Sequence, residues 1–238
     1  MDEDSPHWRH ETISFDAPYG NDRITAHLFL PRGGNPPHQV VVYYPGAEAE
    51  RLESSTDMQT WVFDFLVRTG RAVIHPIYDG TYERRPGSAL FRERVIHWAM
   101  DIRRSIDYLE TRHDVDATKL AYYGFSSGVV WGPIFTAIEA RFKASVLFTG
   151  GVLWQELDPE IEPTKLAPRA TVPVLMVNGR DDLVFPVEAS QLPLFRLLGA
   201  PDEHKRHALM EGGHLPIDMQ AVMREILDWL DRYLGPVR

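Results

Sequence analysis

Ser126 lies in the run Tyr123-Gly124-Phe125-Ser126-Ser127-Gly128, which has the pattern G-x-S-x-G. An apolar stretch precedes the run, and a stretch able to start a helix follows it. Glycines on both sides of a serine permit a tight turn that lifts one hydroxyl off the end of a strand. The pattern predicts that Ser126 is a nucleophile, and a plain glycine- and serine-rich loop is the alternative interpretation.

A serine hydroxyl becomes an effective nucleophile when a histidine takes its proton and a carboxylate orients that histidine. The sequence offers both groups downstream of Ser126, each after an apolar run typical of a strand. Asp182 follows the run 174–178, and His214 follows the run 205–210. We therefore expect Ser126, Asp182 and His214 to form a catalytic triad.

The order serine, aspartate, histidine along the chain is that of α/β-hydrolases. From about residue 12 to residue 233, the chain resembles the α/β-hydrolase superfamily, most closely its dienelactone-hydrolase and prolyl-oligopeptidase-like serine esterase branch. The family pattern G-x-x-D-x-x-x-P, here between Gly179 and Pro186, favours Asp182 over its neighbour Asp181 as the acid. Dienelactone hydrolases proper have a cysteine where this chain has Ser126, which makes ester hydrolysis the expected chemistry.

Acyl transfer places negative charge on the substrate carbonyl oxygen, and backbone N–H groups aimed at that oxygen stabilise it. We expect one donor at Ser127, directly after the nucleophile. The resemblance implies a second donor in the loop after the third strand, which we assign to Ala47. Pro45 replaces a histidine that relatives often have, but Gly46 is kept. A simple turn is the alternative for this loop.

Substrate contacts are assigned to Gly46, Tyr82 and Trp154, because these residues follow predicted strands at the same edge of the sheet. For Tyr82 and Trp154 the alternative is an aromatic ring packed on the core. The segment 149–171 is too short for a large cap domain, so we expect an open site.

The composition limits the class of protein. The 238 residues are 44% hydrophobic, carry a net charge of -9 and include no cysteine. We expect a single domain over 1–238 with an N-terminal extension at 1–11, because a chain of this length can bury one core. The negative charge argues against nucleic acids and anionic membranes as partners. Without cysteine the chain has no disulfides and no thiolate metal ligands.

No motif indicates a cofactor, and the histidines His7, His10, His204 and His207 lack a carboxylate at metal-ligand spacing, so we expect no metal site. The acidic residues 1–4 lack the apolar core of a signal peptide, and no run approaches the length of a membrane span. These features predict a cytoplasmic protein. The sequence leaves a homodimer open.

Hydrophobic periodicity predicts strands that alternate with helices, the pattern of a doubly wound α/β sheet. The predicted strands are 12–15, 24–30, 40–44, 71–77, 119–123, 144–148, 172–177 and 204–209, and the predicted helices are 58–69, 92–112 and 218–233. The resemblance implies a three-layer α/β-hydrolase fold with a mostly parallel eight-stranded sheet, an antiparallel N-terminal edge and no large cap. Pro133 predicts a kink after Ser126 or a helix that restarts near Gly132.

The resulting hypothesis is a serine carboxylesterase that cleaves small to medium acyl esters through an acyl-enzyme intermediate. A peptidase of the prolyl-oligopeptidase type is one alternative, although the chain has no propeller repeats. A non-catalytic regulatory module that keeps the hydrolase fold is the other.

Overall fold

The structure is a computed structural model that describes residues 5–237. Residues 1–4, the start of the predicted N-terminal extension, lie outside the described residues. The strands are β1 (Trp8–Asp16), β2 (Arg23–Pro31), β3 (His38–Tyr44), β4 (Ala72–Pro76), β5 (Val115–Phe125), β6 (Phe142–Phe148), β7 (Val174–Gly179) and β8 (Lys205–Met210). Within the described range these eight strands form one sheet in the order β1-β2-β4-β3-β5-β6-β7-β8.

The N-terminal edge of the sheet is antiparallel. Strand β1 pairs with β2, and β2 pairs with β4, in antiparallel register. The pairs β3–β4, β6–β7 and β7–β8 are parallel. Strand β1 has several exposed residues, whereas β3, β4 and β7 are buried along their whole length, as expected for strands covered on both faces. The predicted mostly parallel sheet with an antiparallel edge is confirmed.

The helices are α1 (Asp64–Arg68), α2 (Phe91–Leu109), α3 (Ser127–Ile138), α4 (Pro163–Leu166), α5 (Leu192–Leu197) and α6 (Met219–Leu234). The two long surface helices, α2 and α6, each bury one face that includes Trp98 and Trp229, respectively. This agrees with the amphipathic pattern from which both helices are predicted. The predicted helix 58–69 is wrong over its first half, where α-helix is confined to α1.

Tight turns replace the first half of that predicted helix. The chain forms 3-10 turns at Ser55–Asp57 and Thr60–Val62, and their hydrogen bonds span three residues rather than four. Between them Met58 is extended, with φ -59° and ψ 147°, which interrupts any continuous helix. The apolar spacing in this segment therefore reflects buried turns.

Helix α3 contains Pro133 in its interior and continues to Ile138, so the alternative of a helix that restarts near Gly132 is wrong. Proline removes one backbone donor, but every residue from 128 to 136 is buried, and this packing holds the segment helical. A Cβ on Gly132 would lie 2.8 Å from the Leu147 side chain, so the glycine permits close approach to β6.

The described residues divide into two compact units. The first unit comprises 5–43, 47–120 and 237, and the second comprises 44–46 and 121–236. The first has Phe63, Val73 and Trp98 in its core, and the second has Tyr122 and Phe135. In the segment between β6 and β7 the only helical elements among the described residues are short turns of three or four residues, so no large cap is present.

The described part of the chain has no helix that combines the length and the apolar character needed to cross a bilayer.

Candidate active site

Ser126 sits at a strained turn between β5 and α3. Its backbone has φ 50° and ψ -103°, a conformation that a non-glycine residue rarely adopts. The turn is held because the Ser126 N–H donates to the Phe148 carbonyl at 3.0 Å. A Cβ on Gly124 would overlap the Gly128 carbonyl, and one on Gly128 would lie 2.5 Å from the Tyr44 carbonyl oxygen. Both glycines of the G-x-S-x-G pattern are therefore required by lack of space.

The imidazole of His214 lies between the other two predicted triad residues. Its Nε2 is 3.1 Å from Ser126 Oγ, and its Nδ1 is 2.9 Å from Asp182 Oδ2. A carboxylate next to Nδ1 favours the tautomer with the proton on that nitrogen, so the lone pair of Nε2 faces the serine hydroxyl. The structure thus brings the three residues together in the order that proton transfer from serine requires.

Asp182 is buried and firmly held. Its second oxygen, Oδ1, accepts N–H groups from Val184 at 2.8 Å and from Phe185 at 3.0 Å. These bonds leave Oδ2 directed at His214. Asp181, the alternative acid, is exposed, and its backbone N–H donates to the Gly212 carbonyl at 2.9 Å.

Similar folds are known among solved structures. A cold-adapted esterase from an Arctic intertidal metagenomic library matches with a TM-score of 0.73 and 20% identity, covering 98% of this chain and 97% of that one. A provisionally named dienelactone hydrolase from Klebsiella pneumoniae subsp. pneumoniae matches with a TM-score of 0.71 and 17% identity, covering 94% and 99%. An acetyl xylan esterase from Paenibacillus sp. R4 matches with a TM-score of 0.72 and 17% identity, covering 98% and 87%.

The chain has the α/β-hydrolase fold. The fold implied by the sequence resemblance is confirmed, with the antiparallel edge and without a large cap. No protein-family model and no curated protein sequence matches this chain.

The ends of two neighbouring strands position the candidate acid and the candidate base. Asp182 follows β7 and His214 follows β8, two neighbouring parallel strands. The loops after these strands are joined by backbone hydrogen bonds, from Arg180 to Met210 at 2.8 Å and from Asp181 to Gly212 at 2.9 Å. The distance between the acid and the base is thus fixed by main-chain contacts.

Thr149 is a site residue that the sequence reasoning missed. It directly follows β6, is fully buried and has a positive φ of 55°, unusual for a β-branched residue. Its hydroxyl donates to the His214 carbonyl, and Oγ1 also lies 3.2 Å from His214 Nδ1. Its position at the end of a parallel strand is where ligand sites of such sheets lie, but a threonine at that position has no signature of its own in the sequence.

The other predicted residues are placed as follows within the α/β-hydrolase fold. Ser127 is the first residue of α3, so its N–H has no acceptor within the helix. Gly46 is buried in the second unit. Ala47 belongs to the first unit, where it begins the 3-10 helix Ala47–Glu50. Trp154 is exposed, and its indole N–H donates to the Ala189 carbonyl at 2.6 Å.

Tyr82 is buried in the first unit with a positive φ of 45°. Its ring meets the ring of His75 edge to face at 5.8 Å. Burial, together with the nearby carboxylates of Glu48 and Glu83, raises the pKa of the Tyr82 hydroxyl, so this group stays protonated. The burial matches the alternative in which this ring packs in the core.

Within residues 5–237, no group of three or more histidine, aspartate or glutamate side chains is arranged to hold a metal ion.

Proposed function

We propose that the protein is a serine hydrolase that cleaves carboxylic esters. The observation that carries the proposal is the position of His214, with Ser126 Oγ at one ring nitrogen and Asp182 Oδ2 at the other. The proteins with similar folds include an esterase and an acetyl xylan esterase, which adds an expectation of ester chemistry. These two proteins share 20% sequence identity or less with this chain, so their names describe their own activities.

In the first half of the proposed reaction, Nε2 of His214 takes the proton of the Ser126 hydroxyl as Oγ attacks the ester carbonyl carbon. Asp182 stabilises the imidazolium that forms, through its bond to Nδ1. The tetrahedral intermediate then expels the alcohol, whose oxygen takes the proton back from Nε2. The acyl group remains on Ser126 Oγ.

In the second half, a water molecule replaces the alcohol. Nε2 takes a proton from the water as its oxygen attacks the acyl carbon, and Ser126 Oγ leaves with that proton. The products are a carboxylic acid and the free enzyme.

The negative charge that forms on the substrate oxygen is stabilised by N–H groups that donate no other hydrogen bond. The N–H of Ser127 fits this role because it is the first N–H of α3 and carries the positive end of the helix dipole. The second donor, assigned to Ala47 from the sequence, stays a prediction.

Hydrolysis of p-nitrophenyl acetate tests the proposal. We expect Ser126→Ala to lower turnover at least about 1000-fold. We expect a fluorophosphonate to add one phosphonyl group per molecule of wild-type protein at Ser126, with loss of fluoride. Ser88→Ala is the matched control, because Ser88 also lies within hydrogen-bonding distance of a histidine. Turnover that survives Ser126→Ala would remove Ser126 from the mechanism and with it the proposed function.

The matching p-nitroanilide should be run beside the ester. We expect the ester to be cleaved much faster, because the alkoxide or phenolate leaves more easily than the amine. Faster amide cleavage would instead favour the peptidase alternative.

A further inference from the structure

Large apolar side chains are exposed on three loops of the second unit, those that follow β6, β7 and β8. Leu183 is 92% exposed, Ile217 is 81% exposed and Trp154 is 67% exposed. Val184 and Leu215 are also among the exposed apolar residues. We call these five residues the apolar rim. Single exposed apolar residues are common, but several on adjoining loops indicate a binding surface.

Hydrogen bonds hold the backbone of the apolar rim and one of its side chains in place. The N–H of Val184 is bonded to Asp182, and the N–H of Ile217 donates to the Glu211 carbonyl at 2.9 Å. The indole of Trp154 is bonded to the Ala189 carbonyl. A fixed backbone that presents apolar groups to water offers a preformed surface, which binds a ligand at little cost in conformational entropy.

Four of the five residues of the apolar rim lie on the two loops that carry Asp182 and His214. Leu183 directly follows Asp182, and Leu215 directly follows His214. The Asp182 carboxylate lies 2.9 Å from the His214 ring. Gly212, which accepts the N–H of Asp181, lies against Ile217, because a Cβ on this glycine would be 3.1 Å from the Ile217 side chain. Because His214 Nε2 lies 3.1 Å from Ser126 Oγ, a molecule bound at Leu215 would lie close to the Ser126 hydroxyl.

The charges on the same loops select against anions. The exposed acidic residues are Glu156, Asp158, Glu160, Asp181, Glu188, Glu211 and Asp218. The exposed cations on the same loops are fewer, namely Lys165, Arg169 and Arg180, and Arg180 pairs with Glu211 at 3.3 Å. An anionic lipid surface or an anionic substrate would be repelled, whereas a neutral hydrocarbon chain would not.

We propose that the apolar rim binds the hydrocarbon part of a neutral ester, so that the substrates of this site are aliphatic or aromatic esters of at least medium chain length. The inference rests on the proposed function and names its substrate class. It refines the expectation of small to medium acyl groups toward the longer ones. Short esters such as acetates can react with the same serine, but their acyl chains are too short to contact the apolar rim.

The test compares p-nitrophenyl acetate and p-nitrophenyl octanoate in wild type and in the double variant Leu183→Ser/Ile217→Ser. We expect a higher kcat/KM for octanoate than for acetate in wild type, since each methylene buried on the rim raises kcat/KM about fourfold. The double variant should lower the octanoate-to-acetate ratio about tenfold. Ile138→Ser is the matched control: Ile138 is 44% exposed but ends α3, about 16 Å along the helix from Ser127. It should leave the ratio unchanged.

Binding of uncleaved p-nitrophenyl octanoate to Ser126→Ala, measured by calorimetry, separates this inference from the proposed function. Weaker binding on adding the rim substitutions supports the rim even if wild type proves to cleave no ester. An unchanged ratio together with unchanged binding overturns it. A dimer that the double variant converts to a monomer, with the ratio unchanged, would also overturn it and assign the rim to contact between two copies.

Discussion

Two clusters in this chain each combine a serine, a histidine and an aspartate, one in each unit. The candidate triad is the cluster of the second unit, and Ser88, His97 and Asp79 form the cluster of the first. In the first-unit cluster, Nδ1 of His97 lies 2.7 Å from Asp79 Oδ2 and 2.9 Å from Ser88 Oγ. The Ser88 hydroxyl itself lies 2.5 Å from that carboxylate oxygen. Both partners therefore meet the same ring nitrogen.

The difference shows that the pattern of hydrogen bonds, and not the residue types, makes a base. In the candidate triad the carboxylate and the serine lie at opposite nitrogens of His214, an arrangement in which positive charge on the ring would be stabilised during proton transfer. In the first-unit cluster, the Ser88 hydroxyl donates its hydrogen bond to the Asp79 carboxylate, and the same carboxylate oxygen lies next to His97 Nδ1. A carboxylate at that nitrogen favours a proton on it, so Nδ1 offers Ser88 no lone pair. The Tyr19 ring stacks on His97 at 3.7 Å, and the Ser88 N–H also donates to Asp79. These bonds join the two ends of the loop 79–88.

Replacing each histidine by glutamine should separate the two clusters most clearly. We expect His214→Gln to lower ester turnover about 10,000-fold, because no group at that position can take the serine proton. His97→Gln should stay within about twofold of wild type, since glutamine can still donate to Asp79. The measurement is kcat for p-nitrophenyl acetate, with circular dichroism to show that both variants are folded.

Comparable activity loss in the two variants would contradict the distinction drawn from the hydrogen bonds. Loss in the folded His97→Gln variant alone would move the chemistry to the first unit.

Asp79→Asn tests whether the first-unit cluster is structural. Asp79 is buried and accepts bonds from Ser88 and His97, so loss of its charge and of one acceptor should lower the free energy of unfolding by about 3 kcal/mol. Urea unfolding measures this value. Asp202→Asn is the control, because Asp202 is exposed in its pair with Lys205 and should change stability by less than about 0.5 kcal/mol. A variant as stable as wild type would show that Asp79 does not hold the loop.

The sequence predicts those features of the site that depend on short-range pattern. Ser126 is identified by flanking glycines that leave no room for a side chain, and Asp182 and His214 by their places after strands. Thr149 follows β6 in the same way, but a threonine at a strand end has no signature of its own. Its contact with the candidate base is recognised only in the structure, where its hydroxyl donates to the His214 carbonyl.

Long-range packing decides the features that the sequence did not predict. The segment 58–63 has the apolar spacing of a helix, but it forms tight turns, because the tertiary contacts of buried residues such as Val62 override that spacing. Pro133 predicts an interruption, yet the buried helix α3 continues through it. The outward direction of Leu183 and Ile217 likewise depends on backbone bonds within and between loops.

His27 extends the comparison of histidines to acid stability. It bonds on both nitrogens, to His10 at 2.7 Å and to Ser55 at 2.8 Å, but it lacks the carboxylate that His214 has. Burial, with the neighbouring His10, lowers the pKa of His27 to about 4, while an unfolded histidine has a pKa of about 6.5. The unfolded chain therefore binds a proton first, and stability is lost as the pH falls from about 6.5 to about 4.

Urea unfolding at about pH 7.5 and about pH 4.5 measures this loss. We expect the loss to be smaller by about 2.5 kcal/mol in His27→Gln than in wild type, because the variant cannot take up this proton on unfolding. His7→Gln, at an exposed position, should leave the difference unchanged. An equal loss in His27→Gln and wild type would contradict the assignment of this pH dependence to His27.

Thr149→Val should have the smallest of these effects and tests how finely the candidate base is positioned. Valine keeps the shape of threonine but removes the hydroxyl that donates to the His214 carbonyl, so the ring loses one constraint while its bonds to Ser126 and Asp182 remain. We expect kcat to fall about tenfold with KM nearly unchanged, the result for a group that acts only through the orientation of another. Thr149→Ser restores the hydroxyl and should restore most of kcat. A fall that serine does not rescue would instead assign the effect to packing at this buried position, because serine lacks the methyl group that valine and threonine share.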